Sequence, residues 1–235
     1  MATYDLHPEV ADAHLALDVD DWDAIYVVGD VHGCLRPLEA LLEELAVTPD
    51  DLVVFVGDLL RKGPDSAAVL DLVRSRENLF TVRGNNEEKV IRGEATLPGL
   101  DAGDVDYLLS LPVAITVGET LVVHGGVDPR KPLAEHTVDD LQNTRSLAPE
   151  GGYRSPFWYE RHEGPPRVCF GHTVLERPVE RRWAVGLDAG CVYGGRLTAY
   201  DLRNRTFRSV RGRRDGVARS GSKIVSVEGA PRSDG

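Results

Sequence analysis

The sequence predicts an α/β protein (α+β in some schemes): two stacked, mixed β-sheets with helices packed outside. Two observations carry this. The first half alternates strand and helix patterns, and the second half is a run of short strands separated by turn residues. Alternating β-α-β-α-β segments favour a parallel sheet, whereas closely spaced short strands favour hairpins and a second sheet.

Each element has its own signal. Residues 1–22 mix acidic and apolar types, with Asp18, Asp20, Asp21 and Asp23 clustered, and read as an approach segment ahead of a domain over 23–210. Ile25 to Val28 is β-branched and aromatic, hence a strand. Leu35, Leu38, Leu41, Leu42 and Leu45 recur at helical spacing, giving an amphipathic helix. Leu52 to Val56 is the next strand, and Asp65 or Ser66 caps a helix reaching about Arg76. Leu79 to Val82 is a third strand, followed by a helix over Asn86 to Arg92. Val113 to Val117 and Leu121 to Val123 flank Gly118-Glu119-Thr120, a hairpin. Strands then follow at Val168 to Phe170, Trp183 to Leu187, Leu197 to Leu202 and Thr206 to Val210. Residues 211–235 are dominated by Gly, Arg, Ser and Asp, apart from Ile224-Val225-Ser226-Val227, and read as a mostly disordered tail.

Composition narrows the function classes. With 235 residues, 42% hydrophobic and 28% charged, one domain can bury a core without staples. No apolar run approaches the ~20 residues a membrane helix needs, so no membrane partner is expected. Cys34, Cys169 and Cys191 are odd in number and unpaired in spacing, which points to a reducing cytoplasm. Net charge is −11, and the basic side is 23 Arg against only 4 Lys. An Asp-rich, Lys-poor chain suits a salty cytoplasm, though codon bias toward Arg and Asp yields the same composition. The global field repels long nucleic acid, so an anionic substrate must be drawn in by local charge. The oligomeric state is not legible.

One pattern recurs five times: an apolar strand stops at a glycine beside a metal-binding residue type. The five are Val28-Gly29-Asp30, Val56-Gly57-Asp58, Arg83-Gly84-Asn85, Val123-His124-Gly125 and Phe170-Gly171-His172. Glycine at a strand end lets backbone approach a ligand closely, and α/β sheets gather ligands at the carboxyl ends of strands. Asp30, His32, Asp58, Asn85, His124 and His172 can thus form one site. Singly, each motif is an ordinary turn or loop; in this order they are specific. Carboxylate, amide and imidazole donors suit Mn²⁺ first, with Fe, Zn²⁺, Co or Ni also admissible. Two such ions, sharing a bridging carboxylate, would clamp a phosphoryl group for in-line attack. The remaining histidines, His7, His14, His136 and His162, lie in polar or irregular context and read as surface residues.

The ordered set, with Gly29-Asp30-Val31-His32-Gly33 at its head, resembles the phosphoprotein phosphatase branch of the calcineurin-like metallophosphoesterases over residues 25 to 202. That resemblance implies a helix-flanked β-sandwich, with Asp30, His32 and Asp58 on one metal. Asp58, Asn85, His124 and His172 would hold the other. Gly57-Asp58-Leu59-Leu60-Arg61-Lys62-Gly63-Pro64-Asp65-Ser66 is most similar to the bacterial diadenosine-tetraphosphatase-like group. So are Gly186 to Ala199, and Thr144-Arg145-Ser146-Leu147 ahead of Phe157-Trp158. By that likeness Lys62 and Arg145 grip phosphate, with Arg83 a third cation; surface ion pairs are the alternative.

The chain departs from the family pattern at two places. Where the family has Asn-His, this chain has Asn85-Asn86, and where the orienting Asp stands it has Arg61. The missing histidine is the general acid that protonates the leaving oxygen, a contribution of ~10²–10⁴-fold. A nucleotide phosphate leaves without much protonation, whereas an alkoxide needs it. The reading is therefore hydrolysis by a hydroxide bridging two metal ions, on a nucleotide polyphosphate, another phosphoanhydride or a phosphomonoester, with Asp58, Lys62, Arg145 and Asn86 as the catalytic set. The rivals are a Ser/Thr protein phosphatase acting on phosphoproteins and a nucleotide-sensing pseudoenzyme.

Overall fold

The computed structural model describes residues 4–213 and 217–227. Its first half runs α1 (Pro8–Ala11), β1 (His14–Leu17), β2 (Ile25–Val28), α2 (Leu35–Glu44), β3 (Leu52–Phe55), α3 (Ser66–Arg74), β4 (Leu79–Thr81) and α4 (Asn85–Ile91). The second half runs α5 (Ala102–Ser110), β5 (Ala114–Val117), β6 (Thr120–Val123), α6 (Val138–Asn143), α7 (Trp158–Arg161), β7 (Arg167–Phe170), β8 (Val179–Glu180), β9 (Ala184–Gly186), β10 (Arg196–Asp201) and β11 (Thr206–Arg211).

These strands form a five-stranded sheet in the order β11-β10-β2-β3-β4 and a six-stranded sheet in the order β1-β5-β6-β7-β9-β8. In the first, β2, β3 and β4 are parallel and β10 runs against β2. In the second, β6, β7 and β9 are parallel and β5 closes a hairpin on β6. Successive side chains on a strand point to opposite faces, which sorts the apolar residues into three layers. Val27, Val54 and Tyr200 from one sheet meet Ile115, Val122, Cys169 and Val185 from the other, forming the sandwich core. The opposite faces are covered by helices. Val28, Phe55 and Leu197 pack under Leu38 and Leu41 of α2 and Leu70 of α3. Leu121, Val123 and Phe170 pack under Val10 of α1, Leu141 of α6 and Trp158 of α7. With helices on both outsides, the parallel strands can be apolar on both faces, as Leu52–Phe55 is. The stacked-sheet expectation holds.

Three expectations are corrected. The approach segment is built into the fold instead of preceding it: it carries α1 and β1, and His14–Leu17 pairs in parallel with Ala114–Val117 at the edge of the six-stranded sheet. That pairing partner lies a hundred residues away, and a four-residue strand among aspartates has little local signal. The expected tail is partly ordered. Leu175 pairs with Val225, whose side chain is buried in the outer core, while 214–216 and 228–235 lie outside the described residues. His136 is 1% exposed. Its Nε2 accepts from the Asp128 backbone N–H at 2.7 Å, so it pins a loop instead of facing solvent. No helix among the described residues is long and apolar enough to cross a membrane.

Candidate active site

The carboxyl ends of β2, β3, β4, β6 and β7 converge, and the loops leaving them carry all six residues read from the sequence. Asp30, His32 and Asp58 are buried and present ligand-type atoms within 4.8 Å of one another. His32 Nε2 lies 3.7 Å from Asp30 Oδ2 and 3.5 Å from Asp58 Oδ2. On the other side, His124 Nε2 lies 3.3 Å from Asp58 Oδ1 and 2.9 Å from Asn85 Oδ1. The same amide oxygen is 3.3 Å from His172 Nδ1. Asp58 therefore stands between two groups of donors.

The loops hold one another in this arrangement. The backbone N–H groups of Val31 and His32 both donate to Asp58 O, at 3.2 and 2.8 Å. Of the seven non-glycine residues with positive φ among those described, five (His32, Asp58, Arg61, Lys62 and His172) line this site. Such conformations cost of order 1–3 kcal/mol each and persist where the surroundings over-determine them. The recurrent glycines now have a geometric reason. A Cβ on Gly171 would collide with the Asp30 carboxylate, and one on Gly84 with that of Asp58.

Two rings are oriented by carbonyls behind them. His32 Nδ1 faces Leu60 O at 3.0 Å and His124 Nδ1 faces Val56 O at 2.8 Å, leaving each Nε2 turned into the site. This is the arrangement that prepares imidazole as a ligand. Burial first, with the Lys62 cation adding to it, lowers His32 to about 4, so its Nε2 is a lone-pair donor. Burial, with the His124 and Arg145 charges, likewise holds His172 well below the usual histidine range. His124 behaves oppositely: against burial, the Asp58 and Asp30 carboxylates hold it up at about 9. Burial, then the Asp188 carboxylate, pushes Asp30 well above the ordinary range. Buried carboxylates this crowded demand positive charge. Two carboxylates, an amide oxygen and three imidazoles are a donor set that divalent transition metals fit.

The other sequence-derived residues fall differently. Lys62 Nζ lies 2.7 Å from His32 Nε2, and Arg145 Nη2 donates to His172 O at 3.1 Å, so both cations sit at the cluster. Arg83 does not line the cleft; its Nε is 3.3 Å from Glu88 Oε2 in an ion pair. Asn86 touches Asp58 twice, through its backbone N–H to Oδ1 at 2.9 Å and its Nδ2 to Oδ2. Its Oδ1 accepts from Arg61 Nη1 at 2.7 Å, so the two family departures are in direct contact.

Sequence reasoning passed over several residues here. Asp188, 3% exposed, lines the cleft from the loop after β9. Its signal was present: Val185-Gly186-Leu187-Asp188 is a sixth apolar strand ending near a carboxylate. Glu87 is wholly buried, and its carboxylate accepts from the backbone N–H groups of Asp58, Leu60 and Gly84 at 2.8, 3.1 and 2.9 Å. It fixes the β3 and β4 loops together. Burial and the nearby Asp58 charge push its carboxyl up to about 7. Tyr153, Tyr193, Arg219 and Lys223 complete a cleft of about 300 Å³. The last two come from the segment read as tail.

Comparison with known proteins agrees with this geometry. The calcineurin-like phosphoesterase family profile matches residues 24–211. A symmetrical bis(5'-nucleosyl)-tetraphosphatase of Pseudomonas syringae is 34% identical, covering 76% of this chain and 89% of the relative. Serine/threonine-protein phosphatase 1 of Salmonella typhimurium is 29% identical, over 77% of this chain and 93% of its own. A solved candidate diadenosine tetraphosphatase superposes with a TM-score of 0.76 at 30% identity, covering 86% of this chain and 99% of that one.

Proposed function

The chain belongs to the calcineurin-like phosphoesterase family, and we propose that its substrates are nucleotide polyphosphates, hydrolysed with two divalent ions in the cleft. As a family member it is a hydrolase of phosphoester or phosphoanhydride bonds that uses divalent metal. Asp30, His32 and Asp58 would hold one ion, and Asp58, Asn85, His124 and His172 the other, manganese being first choice. When bound, the ions supply an activated water and charge neutralisation at phosphorus. The chain's own residues do the rest. Lys62 and Arg145 orient the phosphoryl oxygens, and the loops noted above fix the donors before substrate arrives.

The observation that carries an anhydride over an alkyl ester is the Arg61–Asn86 hydrogen bond of 2.7 Å. A guanidinium and an amide stabilise an anionic leaving phosphate but deliver no proton at neutral pH. The relative from Pseudomonas syringae, named for tetraphosphate hydrolysis, supports the same choice. The Salmonella relative keeps the protein phosphatase reading as the second. A manganese-reconstituted panel of diadenosine tetraphosphate, p-nitrophenyl phosphate and a phosphoserine peptide decides between them. The tetraphosphate should give the highest kcat/KM. Preference for the phosphopeptide would establish the second reading, and binding without turnover would make the protein a sensor.

We place the protein in a reducing cytoplasm on its cysteine usage: Cys34, Cys169 and Cys191 are odd in number, have no paired spacing, and are all buried. The acidic, lysine-poor surface points to a saline one. Its melting temperature should rise markedly between dilute buffer and molar KCl as surface carboxylates are screened; a salt-independent value would leave codon bias as the explanation.

A further inference from the structure

The cleft is electrostatically opposite to the chain that contains it. Net charge is −11, yet six lysine or arginine residues line the cleft against three aspartates. Three of those cations gather on two tyrosines. The Arg145 guanidinium lies 4.3 Å from the Tyr153 ring centroid, and that of Arg219 lies 5.3 Å from the same ring. Arg219 is also 4.5 Å from the Tyr193 ring, over which Lys62 Nζ sits at 5.4 Å.

Arg219 lies outside the family-matching span, on a strap tied down at both ends. Before it, Val217 N donates to Val192 O at 2.9 Å. After it, Val225 N donates to Val174 O at 2.8 Å, Glu176 N donates to Val225 O at 2.9 Å, and Val225 is 8% exposed. Between the anchors, Arg219 Nε donates to Lys223 O at 2.9 Å and Nη2 donates to the Tyr153 hydroxyl. All these acceptors are neutral, and among the described residues Nη1 has no hydrogen-bond partner. Cation–π contact holds the guanidinium in place but does not neutralise it. Like charges this close repel, and a bound polyanion would relieve them.

We propose that Arg219 is a substrate-binding residue that grips the phosphates beyond the one being attacked, making the C-terminal strap a selector for polyphosphate chains. The inference rests on the phosphoanhydride reading above. Lys62 and Arg145 stand at the donor cluster and suffice for a single phosphoryl group. Arg219, reached across the tyrosines, is placed for the second or third, with a planar fork suited to phosphate.

The test uses the full-length, manganese-loaded protein. In Arg219→Met, the ratio of kcat/KM for diadenosine tetraphosphate to that for p-nitrophenyl phosphate should fall about 10–100-fold, the worth of a charge-assisted hydrogen bond. The fall should come through KM, and Arg219→Lys should recover part of it. An unchanged ratio overturns the proposal. If wild type cleaves no anhydride, the phosphoanhydride reading fails separately. Arg219 is then read from inhibition of p-nitrophenyl phosphate cleavage by inorganic tripolyphosphate: a Ki raised at least about tenfold in Arg219→Met supports the strap, and equal Ki values overturn it. Should the variant not fold, arginine-selective labelling of wild type decides. Tripolyphosphate should protect Arg219, and labelling of Arg219 that it does not reduce overturns the role.

Discussion

Replacing Asp58 by asparagine should lower turnover by on the order of 10³-fold or more and strip metal from the protein. The expectation follows from where the carboxylate sits. Its two oxygens are 3.3 Å from His124 and 3.5 Å from His32, so it faces the ring nitrogens of both halves of the donor set. Both oxygens also accept from Asn86, one from the backbone N–H and one from Nδ2. An asparagine keeps the volume but removes the charge, and in either orientation its NH₂ meets an Asn86 donor. A buried donor left unpaired costs about 1–3 kcal/mol. The lost charge matters more, because clamping a phosphoryl group between two ions is worth several kcal/mol, and ~4 kcal/mol is ~10³ in rate. Elemental analysis after manganese incubation should show about two ions per wild-type chain and one or fewer in the variant. A variant that keeps two ions and loses less than tenfold in rate would place the bridge elsewhere.

That the convergence of Asp30, His32, Asp58, Asn85, His124 and His172 could be read in advance, while the cleft around them could not, has a physical cause. Each of the six lies beside a glycine at the end of an apolar strand, and both are local signals. The strand supplies the parallel edge and the glycine supplies the clearance, as the blocked Cβ positions at Gly84 and Gly171 show. The partner of β1 and the role of Glu87 are non-local. Nothing near Glu87 in the chain reveals that three backbone N–H groups from two loops will point at it. Arg83 falls outside the cleft for the opposite reason: it stands near Asn85 in the chain, but Glu88 five residues on pairs with its guanidinium. The strap at 217–227 was masked by its composition, with only Ile224-Val225-Ser226-Val227 standing out in the sequence. Its order comes from two backbone anchors and one buried valine, too few apolar residues to register against its Gly, Arg and Ser.

The Arg61–Asn86 pair leads to the second large effect. These positions are 25 apart in sequence, yet Arg61 Nη1 and Asn86 Oδ1 are 2.7 Å apart, and both side chains line the cleft beside Asp58. Since the resemblance puts an Asp and a His at these two places, the contact marks where an oriented general acid would stand. Wild type, with a permanent cation and an amide instead, should lose rate steeply as the leaving group grows more basic. Phosphoserine peptides should therefore be poor substrates. Asn86→His alone places an imidazole between the Arg61 cation and the Asp58 carboxylate, so a proton it holds is directed at Asp58 and not at a leaving oxygen. Arg61→Asp alone sets a carboxylate against the Asn86 carbonyl oxygen and supplies no proton at pH 7. The double change restores both partners, and should raise phosphoserine turnover by ~10²–10⁴-fold against less than about tenfold for either single change. It should also add a falling alkaline limb to the pH–rate profile as the new imidazolium loses its proton, a limb the wild type lacks. If wild type already cleaves phosphoserine as fast as p-nitrophenyl phosphate, or if the double variant gains no more than the singles, another group donates the proton and the pair has a different role.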